Sequence, residues 1–114
     1  MVSRQANSHH IRLAKVAKKD LQEIHDYVAE FDSEANAERL TDKIIASIET
    51  LSNFPERGSV PSDLLDIGIR DYRQIFFKPY RIIYRVSGKL VTVYGVLDGR
   101  RSLQTLLSRR LLSP

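Results

Sequence analysis

The chain has 114 residues, of which 42% are hydrophobic, and its formal net charge is +4. A chain of this length supports one domain with one modest core and leaves no room for a second folded unit. The absence of cysteine excludes disulfides, thiolate metal sites and a cysteine nucleophile. No run of about 18 apolar residues could span a bilayer, and no apolar signal-peptide core follows Met1. We therefore expect a soluble cytoplasmic protein that does not contact a membrane.

The charge is distributed unevenly along the chain. Residues 1–66 carry 8 Lys or Arg and 12 Asp or Glu, a balance of −4, whereas residues 67–114 carry 10 and 2, a balance of +8. A basic surface of this kind attracts phosphate backbones or an acidic protein partner. Most of these cations are Arg, whose planar guanidinium suits bidentate contacts with phosphate or carboxylate. The alternative is a solvated basic face that serves only solubility.

The first part of the chain predicts a disordered polar tail, a strand and a helix. Residues 1–8 are the tail, and residues 9–114 form the single domain. Apolar residues alternate from His10 to Val16, which is typical of a strand. The period then changes to that of a helix from Ala17 to Phe31, with an apolar stripe formed by Leu21, Ile24, Val28 and Phe31.

A second helix follows directly and makes a hairpin with the first. Asp32 or Ser33 can cap it, and Pro55 stops it shortly after Asn53. Its apolar stripe consists of Leu40, Ile44, Ile48 and Leu51. Because the connection is so short, we expect the two helices to be antiparallel.

The rest of the chain predicts three strands and a short helix. The strands are rich in β-branched and aromatic residues, and the connections between them are short enough for an antiparallel meander. They run from Ile69 to Phe77, Tyr80 to Val86 and Leu90 to Leu97, and an amphipathic helix runs from Ser102 to Leu111. The predicted fold is therefore α+β, with an N-terminal strand, an antiparallel helical hairpin packed on an antiparallel sheet, and a short C-terminal helix.

Four segments, in this order and spacing, resemble the RelE/ParE superfamily of bacterial toxins, and the resemblance extends from about His9 to Leu112. The segments are Lys19–Val28, Leu51–Gly58, Tyr80–Val86 and Val96–Arg101. The resemblance implies a toxin of a type II toxin-antitoxin system that needs no cofactor. It also implies a hetero-oligomer with a cognate antitoxin, whose acidic, amphipathic segment covers the basic part of the toxin.

The superfamily contains two mechanisms. RelE-like members cut mRNA on the ribosome, and without a metal this chemistry needs a base or clustered cations and an acid. Arg81 and Arg101 fit arginine positions of that pattern. However, Phe77 lies near an expected arginine, and the C-terminal segment from Ser102 has no Tyr or His. We therefore favour the ParE-like alternative, an inhibitor of DNA gyrase that is not itself an enzyme; an inactive basic binding module is a third possibility.

Two sets of site residues are predicted. The predicted target-binding residues are Arg73, Arg81, Arg85, Arg100 and Arg101. The predicted antitoxin-binding residues are Arg70, Leu103, Leu106 and Leu107. The alternatives are surface salt bridges for the arginines and packing on the protein's own sheet for the leucines. The three histidines show no metal-ligand spacing, so no metal site is predicted.

Overall fold

The computed structural model describes residues 9–100, 102–104 and 110. The predicted tail (1–8), Arg101, Leu106 and Leu107 lie outside these residues. The described elements are β1 (His10–Leu13), α1 (Lys15–Phe31), α2 (Glu34–Glu49), a 3₁₀ turn (Thr50–Ser52), α3 (Ser62–Leu65), β2 (Arg73–Phe77), β3 (Tyr80–Ser87) and β4 (Leu90–Asp98). Of the predicted C-terminal helix, Ser102, Leu103, Gln104 and Arg110 are described, and all of these except Ser102 are helical.

The four strands form one sheet in the order β1-β4-β3-β2. The strands β2, β3 and β4 make the predicted antiparallel meander. The N-terminal strand, however, pairs in parallel with β4, with His10 opposite Leu90 and Leu13 opposite Val93. The sheet is therefore mixed rather than antiparallel throughout. Parallel pairing requires a long connection between the partners, and the helical hairpin and the meander provide it.

The helical hairpin forms as the sequence predicts, and Ser33 caps the N-terminus of α2. The Ser33 hydroxyl accepts a hydrogen bond from the Asn36 backbone N–H at 3.0 Å, which satisfies one of the free donors at the start of α2. The prediction that Phe31 belongs to the buried stripe of α1 is wrong. Phe31 is 69% exposed, because it lies in the last turn of α1 and its ring contacts the equally exposed Tyr27 at 4.7 Å between centroids.

The hairpin covers one face of the sheet and encloses the main core. Its buried residues alternate along the strands, as at Ile82 and Tyr84 of β3, and are contributed by both helices and by β2 to β4. Complete burial of one aliphatic or aromatic side chain stabilises the fold by about 1.5–3 kcal/mol. The core members are Ala17, Leu21, Ile44, Ile48, Leu51, Ile75, Ile82, Tyr84, Val91, Val93 and Val96.

A second, smaller core lies on the opposite face of the sheet. It consists of Leu64, Tyr72, Ile83, Leu97 and Leu103. The sequence offered packing of Leu103 on the sheet only as an alternative, and it assigned no element to residues 62–68 and began β2 at Ile69. In the structure, Ser62–Leu65 is a helical turn and β2 begins only at Arg73. The prediction that β2 begins at Ile69 is therefore wrong.

A buried ion pair closes the edge of β4 beyond the end of β1. Ala14 makes the last strand-like contact, donating its N–H to Val93 O at 2.9 Å. Farther along, Asp20 of α1 accepts the Val96 N–H at 2.9 Å. The same carboxylate binds Arg110 in a bidentate manner, with both N···O distances at 2.8 Å. Asp20 lies outside the predicted apolar stripe of α1, but it is only 9% exposed. Its carboxylate supplies the hydrogen-bond acceptor that a neighbouring strand would otherwise provide for the Val96 N–H.

The turn that follows α2 is attached to the sheet at Gly58. Its N–H donates to the buried Tyr84 hydroxyl at 3.0 Å, and its carbonyl accepts from Arg73 at 2.7 Å. Ser59 and Gln74 extend this attachment as an isolated antiparallel bridge. The motif from Leu51 to Gly58 therefore has a structural role, because it fixes the path of the chain from the hairpin to the sheet.

We expect Tyr84 to make the fold sensitive to alkali. Burial raises the pKa of Tyr84 from 10.0, and the bond from Gly58 only partly offsets this. The contribution to stability is complete below about pH 10 and is lost as the pH rises through the folded-state pKa, because the unfolded chain releases its proton first. Urea unfolding at about pH 9 and about pH 11 should show a smaller loss of stability for Tyr84→Phe than for wild type.

The matched control for this measurement is Phe54→Leu, at a ring that is 64% exposed and has no hydroxyl group. It should leave the pH dependence of the wild type unchanged. Burial also raises the pKa values of Tyr72 and Tyr80, so Tyr84→Phe should reduce the alkaline loss without abolishing it. A pH dependence that is identical in wild type and Tyr84→Phe would contradict the prediction.

Candidate target-binding surface

The predicted target-binding arginines lie on different faces of the sheet. Arg73 is on the side of the helical hairpin, opposite Tyr84 in the β2–β3 register. Its guanidinium donates to the carbonyls of Gly58 and Glu56, at 2.7 and 3.3 Å. These bonds hold the turn after α2, so the Arg73 guanidinium has a structural role.

Arg81 is on the opposite face and is 8% exposed. Its Nε donates to Gln74 Oε1 at 2.8 Å, and its two terminal nitrogens donate to the Asp63 carboxylate at 3.2 and 3.4 Å. Burial alone would raise the pKa of Asp63, but the hydrogen bond and the positive charge of Arg81 outweigh it and lower that pKa. The Arg81 charge is therefore neutralised within the protein.

Arg85 and Arg100 are the predicted target-binding residues that remain accessible in the described part of the chain. Arg85 is exposed on the same face as Arg81, where it interacts with the Tyr72 hydroxyl. The Arg100 side chain is 91% exposed and is paired with Asp98 at 3.2 Å. Since Arg85 lies opposite Thr92 and Arg100 follows Asp98, the two Cα positions are separated by roughly 20 Å along the sheet. They do not form one compact cluster.

The predicted antitoxin-binding residues also include both exposed and buried side chains. Arg70 is exposed in the segment before β2. Leu103 is completely buried and belongs to the second core, with Ile83 and Leu97. A partner could therefore contact Leu103 only after Leu103 is displaced from the second core. Leu106 and Leu107 are outside the described residues.

An acidic and aromatic groove, which the sequence analysis missed, lies between α1 and the ends of β3 and β4. Its cavity volume is about 360 Å³. Burial, together with the neighbouring Asp98 carboxylate and Tyr27, raises the pKa of Tyr80 in its wall. The helical spacing of Asp20, Glu23 and Tyr27 on one face of α1 was the available sequence signal. The lining residues are Asp20, Glu23, Ile24, Tyr27, Tyr80, Val96, Leu97 and Asp98.

A second acidic site joins the two helices of the hairpin. His25 of α1 lies beside Glu34 and Glu38 of α2, and one possible ligand atom from each residue lies within 4.8 Å of the other two. The sequence showed no metal-ligand spacing here, because the histidine and the two glutamates come from different helices. Only the short connection at Asp32 and Ser33 brings them together.

The family described as ParE toxin of type II toxin-antitoxin system, parDE, matches residues 11–103. The chain belongs to this family. Among curated proteins, the Toxin ParE3 of Caulobacter vibrioides is 31% identical over 91 residues, which cover 80% of this chain and 87% of that protein. The predicted RelE/ParE resemblance and the assignment to a toxin of a type II toxin-antitoxin system are confirmed.

The fold agrees with that of a solved structure described as a chromosomal ParDE TA system from P. aeruginosa. The TM-score is 0.68 at 16% sequence identity, and the likeness covers 82% of this chain and 98% of that chain. The α+β fold predicted from the sequence is thereby confirmed. Among the described residues, no helix of this ParE-family chain is both long enough and apolar enough to cross a membrane.

Proposed function

We propose that this ParE-family toxin binds and inhibits DNA gyrase in the cytoplasm, and that it does not cut RNA. The observation that carries the proposal is the state of Arg81. Metal-independent RNA cleavage needs an accessible base or accessible cations beside the scissile phosphate. Arg81 fits the ribonuclease pattern, but it is 8% exposed and is bound to Asp63 and Gln74. It is not available as a free cation.

Phe77 supports the same proposal. It lies near the position where the ribonuclease pattern leads us to expect an arginine, and it packs against the core between the hairpin and the sheet. An apolar ring at this position supplies no charge for a phosphorane. An inhibitor requires only a complementary surface, for which exposed arginines such as Arg85 and Arg100 are suitable.

A cognate antitoxin would neutralise the toxin in a hetero-oligomer. The charge of +8 on residues 67–114 favours an acidic partner segment at the exposed Arg70, Arg85 and Arg100. The groove beside α1 favours a different part of the partner, because carboxylates of Glu23 and Asp98 line it. A basic or aromatic portion of the antitoxin fits that groove better than an acidic one.

The test is a supercoiling assay with purified gyrase and relaxed plasmid. Wild-type toxin should inhibit supercoiling, and Arg85→Ala and Arg100→Ala should each raise the toxin concentration needed for half-inhibition by about tenfold, because each removes a charged contact with the target. Lys43→Ala is the matched control, since Lys43 is an exposed cation on α2, away from the proposed surface, and should not change the inhibition.

The same toxin should be added to a translation reaction. Unchanged supercoiling at a large excess of toxin, together with mRNA cut in the ribosomal A site and loss of cutting on replacement of Arg101, would replace the gyrase proposal by the ribonuclease alternative. No effect in either reaction would identify an inactive binding module.

A further inference from the structure

We infer that the helical hairpin binds one transition-metal dication of the Zn²⁺ class between His25, Glu34 and Glu38. This site is separate from the surface proposed for gyrase. It would join α1 to α2 near the connection between them, and a metal there would hold the two helices together. The inference depends on the geometry of the hairpin and not on the mechanism of the toxin.

The donor atoms already converge. His25 Nε2 lies 3.0 Å from Glu34 Oε2, and the three possible ligand atoms all lie within 4.8 Å of one another. Ligands about 2.0–2.2 Å from a tetrahedral zinc ion are roughly 3.3 Å apart. Glu38 is exposed, so a rotation of its side chain can close the remaining gap.

The imidazole is oriented in the manner expected of a metal ligand. While Nε2 faces Glu34, Nδ1 lies 3.4 Å from Asp26 Oδ1. Gln22 donates to that same carboxylate oxygen at 2.9 Å and fixes its position. A carboxylate behind the ring selects the tautomer that leaves the other nitrogen free to bind a metal. The His25 side chain is only 23% exposed, so its ring is largely held by the protein.

The two glutamates are also well placed. Glu34 and Glu38 are one helical turn apart and therefore project from the same side of α2. The start of α2 is rigid, because Ser33 caps it and Asp32 accepts a hydrogen bond from the Asn36 side chain at 3.0 Å. The site therefore combines one ligand from α1 with two from a fixed helical turn of α2.

The local charge favours a cation. From Glu23 to Glu38 the sequence has six Asp or Glu and no Lys or Arg. Glu34 and Glu38 place two carboxylates beside one imidazole, and a dication offsets both carboxylates. One imidazole and two carboxylates suit Zn²⁺ and its neighbours, while Mg²⁺ and Ca²⁺ prefer sites made only of oxygen ligands. Water would complete the coordination.

The test is titration of the full chain with ZnCl₂, followed by calorimetry and by the thermal unfolding midpoint. We expect saturable 1:1 binding that raises the midpoint, since a ligand that binds the folded state stabilises it. Glu38→Gln should weaken zinc binding by about tenfold or more, because it removes a charged ligand. MgCl₂ at the same concentration should not change the midpoint.

Two controls identify the ligands. His10→Gln removes an exposed imidazole outside the site and should leave zinc affinity unchanged. In ¹⁵N spectra of the imidazoles, the His25 Nε2 signal should shift on titration, a readout that does not require any His25 variant to fold. Equal zinc affinity of wild type and Glu38→Gln, or a shift at His9 or His10 without one at His25, would overturn the inference. Neither outcome bears on gyrase inhibition.

Discussion

Asp20→Ala is expected to lower the free energy of unfolding by about 3–5 kcal/mol, as measured by urea denaturation. The Asp20 carboxylate is 9% exposed and accepts three hydrogen bonds, one from Val96 N and two from Arg110. Its removal leaves the Arg110 guanidinium largely buried without its counter-ion. It also leaves the Val96 N–H at the edge of β4 without an acceptor, which is itself costly.

Two further variants separate these effects. Asp20→Asn keeps an acceptor for Val96 but removes the charge, so we expect a smaller loss than for Asp20→Ala. The matched control is Glu30→Ala, at an exposed carboxylate on the same helix, which should change stability by no more than about 0.5 kcal/mol. Equal stabilities of Asp20→Ala and Glu30→Ala would show that the ion pair contributes nothing to the fold.

The ion pair also fixes the position of the Arg110 side chain. Arg110 reaches Asp20 of α1 and, at 3.1 Å, the carbonyl of Tyr94 in β4. Loss of Asp20 should therefore release the Arg110 side chain, as well as destabilise the core. Amide hydrogen exchange should show faster exchange at Val96 in Asp20→Ala than in Glu30→Ala, because the bond that protects this amide is lost.

Gly58→Ala is expected to destabilise the protein by about 1–3 kcal/mol or more, measured by the same denaturation experiment. A Cβ atom at this position would lie 2.5 Å from the Gln74 carbonyl oxygen and 2.7 Å from the Tyr84 hydroxyl. Neither neighbour can move easily, since one is backbone in β2 and the other is a buried ring. The turn after α2 would have to move away from the sheet.

A double variant identifies the contact that is responsible. Tyr84→Phe removes the hydroxyl, but the closer contact with the Gln74 carbonyl remains, so we expect that adding Tyr84→Phe does not rescue Gly58→Ala. The control is Gly68→Asn, since a side chain there meets open space and Asn tolerates the positive φ of this residue. Full stability of Gly58→Ala would mean that the turn can leave the sheet at no cost.

The two long helices, the meander and the family resemblance were all predictable from the sequence. Apolar residues at helical spacing predicted α1 and α2, and the change to alternating β-branched residues predicted the meander, because the period of burial follows the period of the backbone. Ser33 was predictable as one of two possible caps of α2, because capping depends on the residue type at the start of the helix. The motifs that resemble ParE-like toxins are continuous segments, so the comparison needed no knowledge of the fold.

The accessibility of the charged residues, in contrast, depends on how the elements pack against one another. Arg81 and Arg85 share one face of β3. Asp63 neutralises Arg81, whereas Arg85 is exposed. In the sequence, nothing distinguishes Asp20 from the other charged residues of α1. Its carboxylate nevertheless binds the Val96 backbone and the Arg110 side chain, which are 76 and 90 residues away. His25 meets Glu34 and Glu38 only across two helices. Local patterns record the periodicity of burial, whereas these contacts depend on how distant segments pack, and no local pattern contains that information.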